Sequence, residues 1–149
     1  MTFHLRAATL EDLPVVLPRT RALNAHEAIV IDDAALEAAL RALLADASLG
    51  GVWVIEDGEG GAACGYAIVT FGYDLEFSGR DAYLTELWID DAVRGRGAGT
   101  AALDALEPEL RARGVHALHL QVRPENPALR LYERRGFVRS PRLIMTRRL

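Results

Sequence analysis

The segment Arg94-Gly95-Arg96-Gly97-Ala98-Gly99-Thr100 restricts this chain more than any other stretch. It stands between Ala82 to Asp90, an apolar run that reads as a strand, and Gly99 to Arg113, where Leu103, Leu106 and Leu110 recur on one helical face. Glycines let a backbone approach a ligand without interference from Cβ. The start of a helix adds unpaired N–H groups and the positive end of a dipole. Strand, glycine-rich turn and helix together make an anion site suited to a pyrophosphate. Arg94 and Arg96 bring charge for phosphate oxygens. A dinucleotide fingerprint needs glycine where Thr100 stands, and a P-loop needs Gly-Lys followed by Ser or Thr; neither is present. The alternative is a glycine-rich turn carrying two solvated arginines.

A second segment, Asn126-Pro127-Ala128-Leu129-Arg130-Leu131-Tyr132-Glu133-Arg134-Arg135-Gly136-Phe137, begins shortly after the next strand, Val115 to Val122. Ala128, Leu131 and Tyr132 share one helical face, Asn126 caps the helix, Pro127 suits its first position and Gly136 its end. The two segments together resemble the GNAT superfamily of acetyl-CoA-dependent N-acetyltransferases. Arg94, Gly97 and Gly99 stand in the defining places of that superfamily's acetyl-CoA motif, and Asn126 to Phe137 resembles its C-terminal motif. The similarity follows the element order of the whole chain and is specific from Tyr83 to Phe137.

The resemblance implies an α+β fold: one domain over residues 1–149, with a mixed, mostly antiparallel central sheet flanked by helices and splayed at the cofactor slot. It implies transfer of an acetyl group from acetyl-CoA to an amine. Backbone amides of Arg94, Gly95, Arg96, Gly97, Ala98, Gly99 and Thr100 would hold the CoA pyrophosphate. Leu87, Trp88 and Ile89 would run beside the pantetheine arm, Asn126 would reach the pantetheine or an ordered water, and Tyr132 would be the general acid. A homodimer is common in the superfamily, but no interface is legible in the residues.

The chemistry fits these roles. An amine attacks a thioester only when neutral, so its proton must leave. The tetrahedral oxyanion needs a donor, for which a main-chain N–H near Leu87 is the candidate. The departing thiolate benefits from a proton, and a phenol is reasonably matched to a thiol. Glu86 is the candidate base, because a carboxylate following Leu84 and Thr85 on an apolar strand is unusual and partial burial would raise its pKa. The alternatives are a carboxylate paired with an arginine at 86 and a half-buried packing tyrosine at 132.

For the acceptor, the superfamily points to the N-terminal helices and the loop before the central strand, hence to His26, Glu27, Tyr73, Asp74 and Glu76. The stretch Phe71 to Phe77 is acidic and aromatic, which favours a cationic amine. Tyr83 to Ile89 also resembles the polyamine-acetylating branch. Other readings of the chain are a protein N-terminal or lysine acetyltransferase, and a non-catalytic acyl-CoA-binding sensor.

The rest of the chain reads as follows. Phe3 to Ala7 is a strand, and Thr9 to Asp12 is a capping box before a first helix kinked or broken by Pro14 and Pro18. A mobile loop follows over Asn24 to Ile31. Asp32 or Asp33 caps a helix with Leu36, Leu40, Leu43 and Leu44 on one stripe, which Gly50-Gly51 ends. Val52 to Glu56 and Ala62 to Gly72 are strands around a hairpin turn, Tyr73 to Asp81 is a polar loop, and Pro108 bends the third helix. Phe137 to Arg139 and Leu143 to Arg148 read as closing strands. Among 149 residues all 17 basic ones are arginine, which with the alanine and glycine content suggests a GC-rich bacterial genome. A net charge of −4 argues against nucleic acid as the main partner. No apolar run reaches the ~18 residues of a membrane span, and the first residues lack a signal-peptide stretch, so a cytoplasmic protein is expected. Cys64 reads as a buried strand cysteine. His116 and His119, three apart on a strand, point to opposite faces, and no metal is expected.

Overall fold

Alternating apolar residues place Phe3–Ala7 in strand β1, which pairs antiparallel with β2 (Gly50–Asp57) in a computed structural model that describes residues 2–149. β3 (Ala62–Asp74) and β4 (Gly79–Ile89) continue the antiparallel ladder, and β5 (Ala117–Leu120) joins β4 in parallel. The order is β1-β2-β3-β4-β5. Helices α1 (Leu13–His26) and α2 (Asp33–Ala45) precede β2, α3 (Ala98–Ala112) links β4 to β5, and α4 (Ala128–Arg134) follows.

Period-2 alternation gives each face of the sheet its own core. On one face Trp53, Ala67, Val69, Ala82 and Leu84 pack under Leu103, Leu106 and Leu110 of α3. On the other, Val52, Val54, Tyr66 and Ile68 pack under Leu13, Val16 and Leu17 of α1 and Leu40 of α2. Burying each of these large apolar side chains contributes about 1.5–3 kcal/mol. The capping box forms: Thr9 Oγ1 accepts from Glu11 N and Asp12 Oδ2 accepts from Thr9 N, over a 3₁₀ turn at Leu10–Asp12. Arg6 then fastens β1 to this turn and to β2, through Asp12 and Glu56, both at 2.8 Å.

Several expectations are corrected. α1 is unbroken across Pro18 and reaches His26, so the connection to α2 is shorter than Asn24 to Ile31 suggests. Pro14 falls where helix N–H groups have no partner anyway, so only Pro18 removes a bond. Gly50 and Gly51 open β2 instead of closing a helix segment. The polar loop Tyr73 to Asp81 is mostly strand: β3 and β4 extend to a tight turn at Leu75–Phe77, where Asp74 accepts from Glu76 N and Ser78 adopts φ 62°. Phe137 to Arg139 and Leu143 to Arg148 form no strand. Alternation suffices for a strand only where a neighbouring edge supplies ladder bonds. Here Val138, Leu143 and Met145 stay exposed, and Arg142 is drawn to Glu76 at 2.8 Å.

Candidate active site

The last ladder pair between β4 and β5 is Leu84↔Leu120, where β5 ends, while β4 continues through Thr85 to Ile89. The sheet is therefore splayed, and this part of β4 has an open backbone edge. A cavity of about 390 Å³ lies at the divergence, lined by Thr70, Tyr83, Leu84, Thr85, Gln121 and Ile144.

β4 also carries a bulge. Ile68 opposes Glu86 and Val69 opposes Leu84, leaving Thr85 without a register partner. Strict alternation would put Glu86 on the same face as Leu84, in the α3 core. The extra residue turns Glu86 to the α1/α2 face beside Ile68, and the bulge thereby re-aims a carboxylate from one side of the sheet to the other. There Glu86 is half-buried and Oε1 accepts a 2.6 Å hydrogen bond from Tyr66 Oη. Burial pushes its pKa up, and the Tyr66 hydrogen bond pulls the other way. Its partner is a tyrosine, and among the described residues no arginine pairs with it.

Tyr132 lies on the opposite face. Its ring packs on the α3-side core and meets Phe137 edge-on at 5.8 Å. Every wholly buried side-chain polar atom among the described residues has a partner. The Tyr132 hydroxyl has none, so it opens onto accessible space. Burial of the ring raises its pKa.

The glycine-rich turn is positioned by backbone conformation. Gly95 and Gly97 adopt φ 78° and 88°, a region L side chains disfavour, and a Cβ on either would meet nothing within 4 Å. α3 starts here with no side-chain cap, leaving its first N–H groups available. Gly99 serves differently: a Cβ there would come within 3.0 Å of Leu131, so its absence lets α4 close on α3. Ala98 is buried and Thr100 half-buried in the first turn of α3.

Both arginines of the turn have protein partners. Arg94 donates to the Ile89 carbonyl, pairs with Asp91 and lies 4.8 Å over Trp88, while Arg96 pairs with Asp57 at 3.2 Å and covers Phe3. Trp88 also donates to Asp90, which Arg19 of α1 holds at 2.7 Å. Leu87 packs toward the α3-side core, and Leu87, Trp88 and Ile89 all lie on the open stretch of β4. Asn126 Oδ1 accepts from Ala128 N, so its amide nitrogen remains as a donor.

On the acceptor side the expected residues scatter. His26 ends α1 with its ring edge-on to Trp88 at 6.3 Å. Glu27 pairs with Arg123 at 3.1 Å and Glu76 with Arg142. Asp74 caps the hairpin turn and Tyr73 is exposed. The sequence reading missed Tyr66, Thr70, Tyr83, Thr85, Gln121 and Ile144. Tyr66 had a signal: a phenol inside an apolar strand must find an acceptor. His116 meets the Phe77 carbonyl and His119 the Asp81 carboxylate, on different partners.

Comparison with known proteins gives the family and the fold. The model of the acetyltransferase (GNAT) family matches residues 17–137. An integron cassette protein from the mobile metagenome of Cole Harbour Salt Marsh is 27% identical, with a TM-score of 0.84 over 97% of this chain and 90% of that one. A predicted acetyltransferase from Clostridium acetobutylicum, solved with acetyl-CoA, is 22% identical with a TM-score of 0.80 over 98% and 96%. A possible acetyltransferase from Clostridium difficile 630 is 16% identical with a TM-score of 0.84 over 100% and 99%. The last two show the shared fold.

Proposed function

Because the chain belongs to the acetyltransferase (GNAT) family, we propose that it moves an acetyl group from acetyl-CoA to the amine of a small acceptor. The observation that carries this reading is the gap beyond Leu84↔Leu120, with Tyr132 on one face of the sheet and Glu86 on the other. Acetyl-CoA enters along the open edge of β4, with its pyrophosphate at the N–H groups that open α3. Its pantetheine runs beside Leu87, Trp88 and Ile89, near the Asn126 amide. The acetyl-CoA solved with the Clostridium acetobutylicum relative supports this choice of donor.

The amine nitrogen attacks the thioester carbonyl carbon. A C–N bond forms and the C–S bond breaks. The amine proton passes to Glu86 directly or through water, and the sulfur leaves with the proton of Tyr132. A main-chain N–H near Leu87 meets the oxyanion. Glu27 and Glu76 are each engaged by an arginine. Asp74 caps the hairpin turn, so the carboxylate left for a cation is Glu86, and a short amine suits a single charge better than a long polyamine.

The test is acetyl-CoA-dependent thiol release across a panel of monoamines, polyamines and peptides. Turnover with short primary amines is expected. Acetyl-CoA binding without thiol release for any amine would instead support the sensor reading, and release only with peptides would make the chain a protein acetyltransferase.

A further inference from the structure

Tyr66 is wholly buried, its relative exposure 0%. It faces α1 and α2 from β3, opposite Trp88, so Glu86 is its diagonal neighbour across the strand pair. A buried phenol must give its proton to an acceptor. This one gives it to Glu86 Oε1 at 2.6 Å, the short range of a hydrogen bond to an ionised carboxylate. The bulge at Thr85 makes the contact possible, since without it Glu86 would face α3.

The surroundings make this bond decisive for Glu86. Other titratable groups on the elements packed against it are engaged elsewhere. On α1, Arg19 is held by Asp90 and His26 stands against Trp88. The stripe that α2 turns to this core is Leu36, Leu40, Leu43 and Leu44. On β5, His119 is bonded to Asp81 and stacked on Tyr83 at 4.8 Å. Cys64 lies in the cluster of Ile55, Val93 and Ala102. Among the described residues, Tyr66 is thus the one titratable group in contact with Glu86.

We propose that Tyr66 is a positioning residue for the acetyl transfer, its hydroxyl fixing Oε1 of Glu86 and leaving Oε2 free to take the amine proton. The proposal rests on Glu86 as the base. Its consequence has a sign. A hydrogen bond donated to the carboxylate favours the ionised form, whereas burial favours the neutral one. Removing the donor leaves burial alone, so the carboxylate ionises at higher pH. Tyr66 is not itself a proton source for the sulfur, because its hydroxyl is buried on the face away from Tyr132.

The experiment is the pH dependence of kcat/KM for wild type, Tyr66→Phe and Glu86→Gln on one short amine. The Glu86 carboxyl carbon is titrated alongside by ¹³C NMR, assigned by its loss in Glu86→Gln. In Tyr66→Phe the acidic limb and the NMR midpoint should rise together by about one pH unit, a roughly tenfold loss at fixed pH on the limb. Rates should recover towards the plateau at high pH, with acetyl-CoA affinity held within about twofold. Replacing Tyr66 by 3-fluorotyrosine keeps the ring and strengthens the donor, so the limb should move down. It also serves as the test if Tyr66→Phe folds poorly. An unmoved limb or midpoint in both variants, or a loss equal at every pH, overturns the proposal while Glu86 stays the base. A Glu86→Gln profile that keeps the wild-type limb overturns the base reading itself.

Discussion

Tyr132 and Glu86 are pushed in the same direction by the same cause, and this suits them to opposite tasks. Burial raises both pKa values, so the phenol keeps its proton near neutrality and the carboxylate becomes a stronger proton acceptor. Tyr132→Phe removes a hydroxyl that has no partner among the described residues, so little stability should be lost. Turnover is expected to fall by about 10²-fold with acetyl-CoA affinity nearly unchanged, measured by steady-state kinetics and calorimetric titration. Wild-type turnover would mean that solvent protonates the thiolate. As the proposed base, Glu86 must be ionised to act, so the acidic limb of kcat/KM should lie above the ordinary glutamate range, and a pH–rate series with buffers from acid to neutral checks this. The sequence singles out both residues as candidates, Tyr132 from its motif and Glu86 from a charge on an apolar strand. Tyr66 was not named, because a diagonal contact over a bulge depends on a register that one strand alone does not specify.

At the scale of elements, the proposed donor site rests on the turn into α3 and the cap of α4. Gly97 combines φ 88° with open space around its Cβ position. Gly97→Val should therefore weaken acetyl-CoA binding by more than tenfold in titration calorimetry and cost about 1–2 kcal/mol in a thermal melt, the second through backbone strain. Affinity unchanged in a folded variant would remove the turn from the site. Asn126→Ala should cost about 1 kcal/mol by removing the acceptor for Ala128 N. Asn126→Asp should retain that cap while losing the amide donor, so a fall in acetyl-CoA affinity confined to ligand-binding assays would mark the donor's role. The turn could be read from its glycines because an αL backbone and a bare helix start are local properties. The protein partners of Arg94 and Arg96 could not, since Trp88, Asp91, Asp57 and Phe3 come together only through the sheet.

At the scale of the whole molecule, the sheet is fastened by few buried charges. Asp12 is held below the usual carboxylate range chiefly by its hydrogen bonds from Arg6. A carboxylate with a depressed folded pKa adds stability that is complete above its unfolded pKa of about 4 and is lost as pH falls through the folded value. Asp12→Asn should therefore lower stability at neutral pH by about 1–2 kcal/mol, a figure kept small because the Arg6 side chain is 41% exposed, and flatten the acid side of the stability curve. Urea melts from neutral pH down to about 3 measure both effects. No helix among the described residues is long and apolar enough to cross a membrane. The alternation of Phe3 to Ala7, the leucine stripes of α2 and α3 and the long apolar run of β3 were sufficient to determine the types of these elements, because spacing and run length are properties of one segment. The glycine-rich turn and the segment Asn126 to Phe137 pointed to the family because each motif is a run of neighbouring residues. What only the tertiary structure decided is everything that needs two segments at once: the bulge that turns Glu86 away from α3, the end of β5 that opens the gap, the arginines that engage Glu27 and Glu76, and the failure of Leu143 to Arg148 to become a strand. Ladder bonds and ion pairs join residues distant along the chain, and their formation depends on which edges and charges the fold brings within reach.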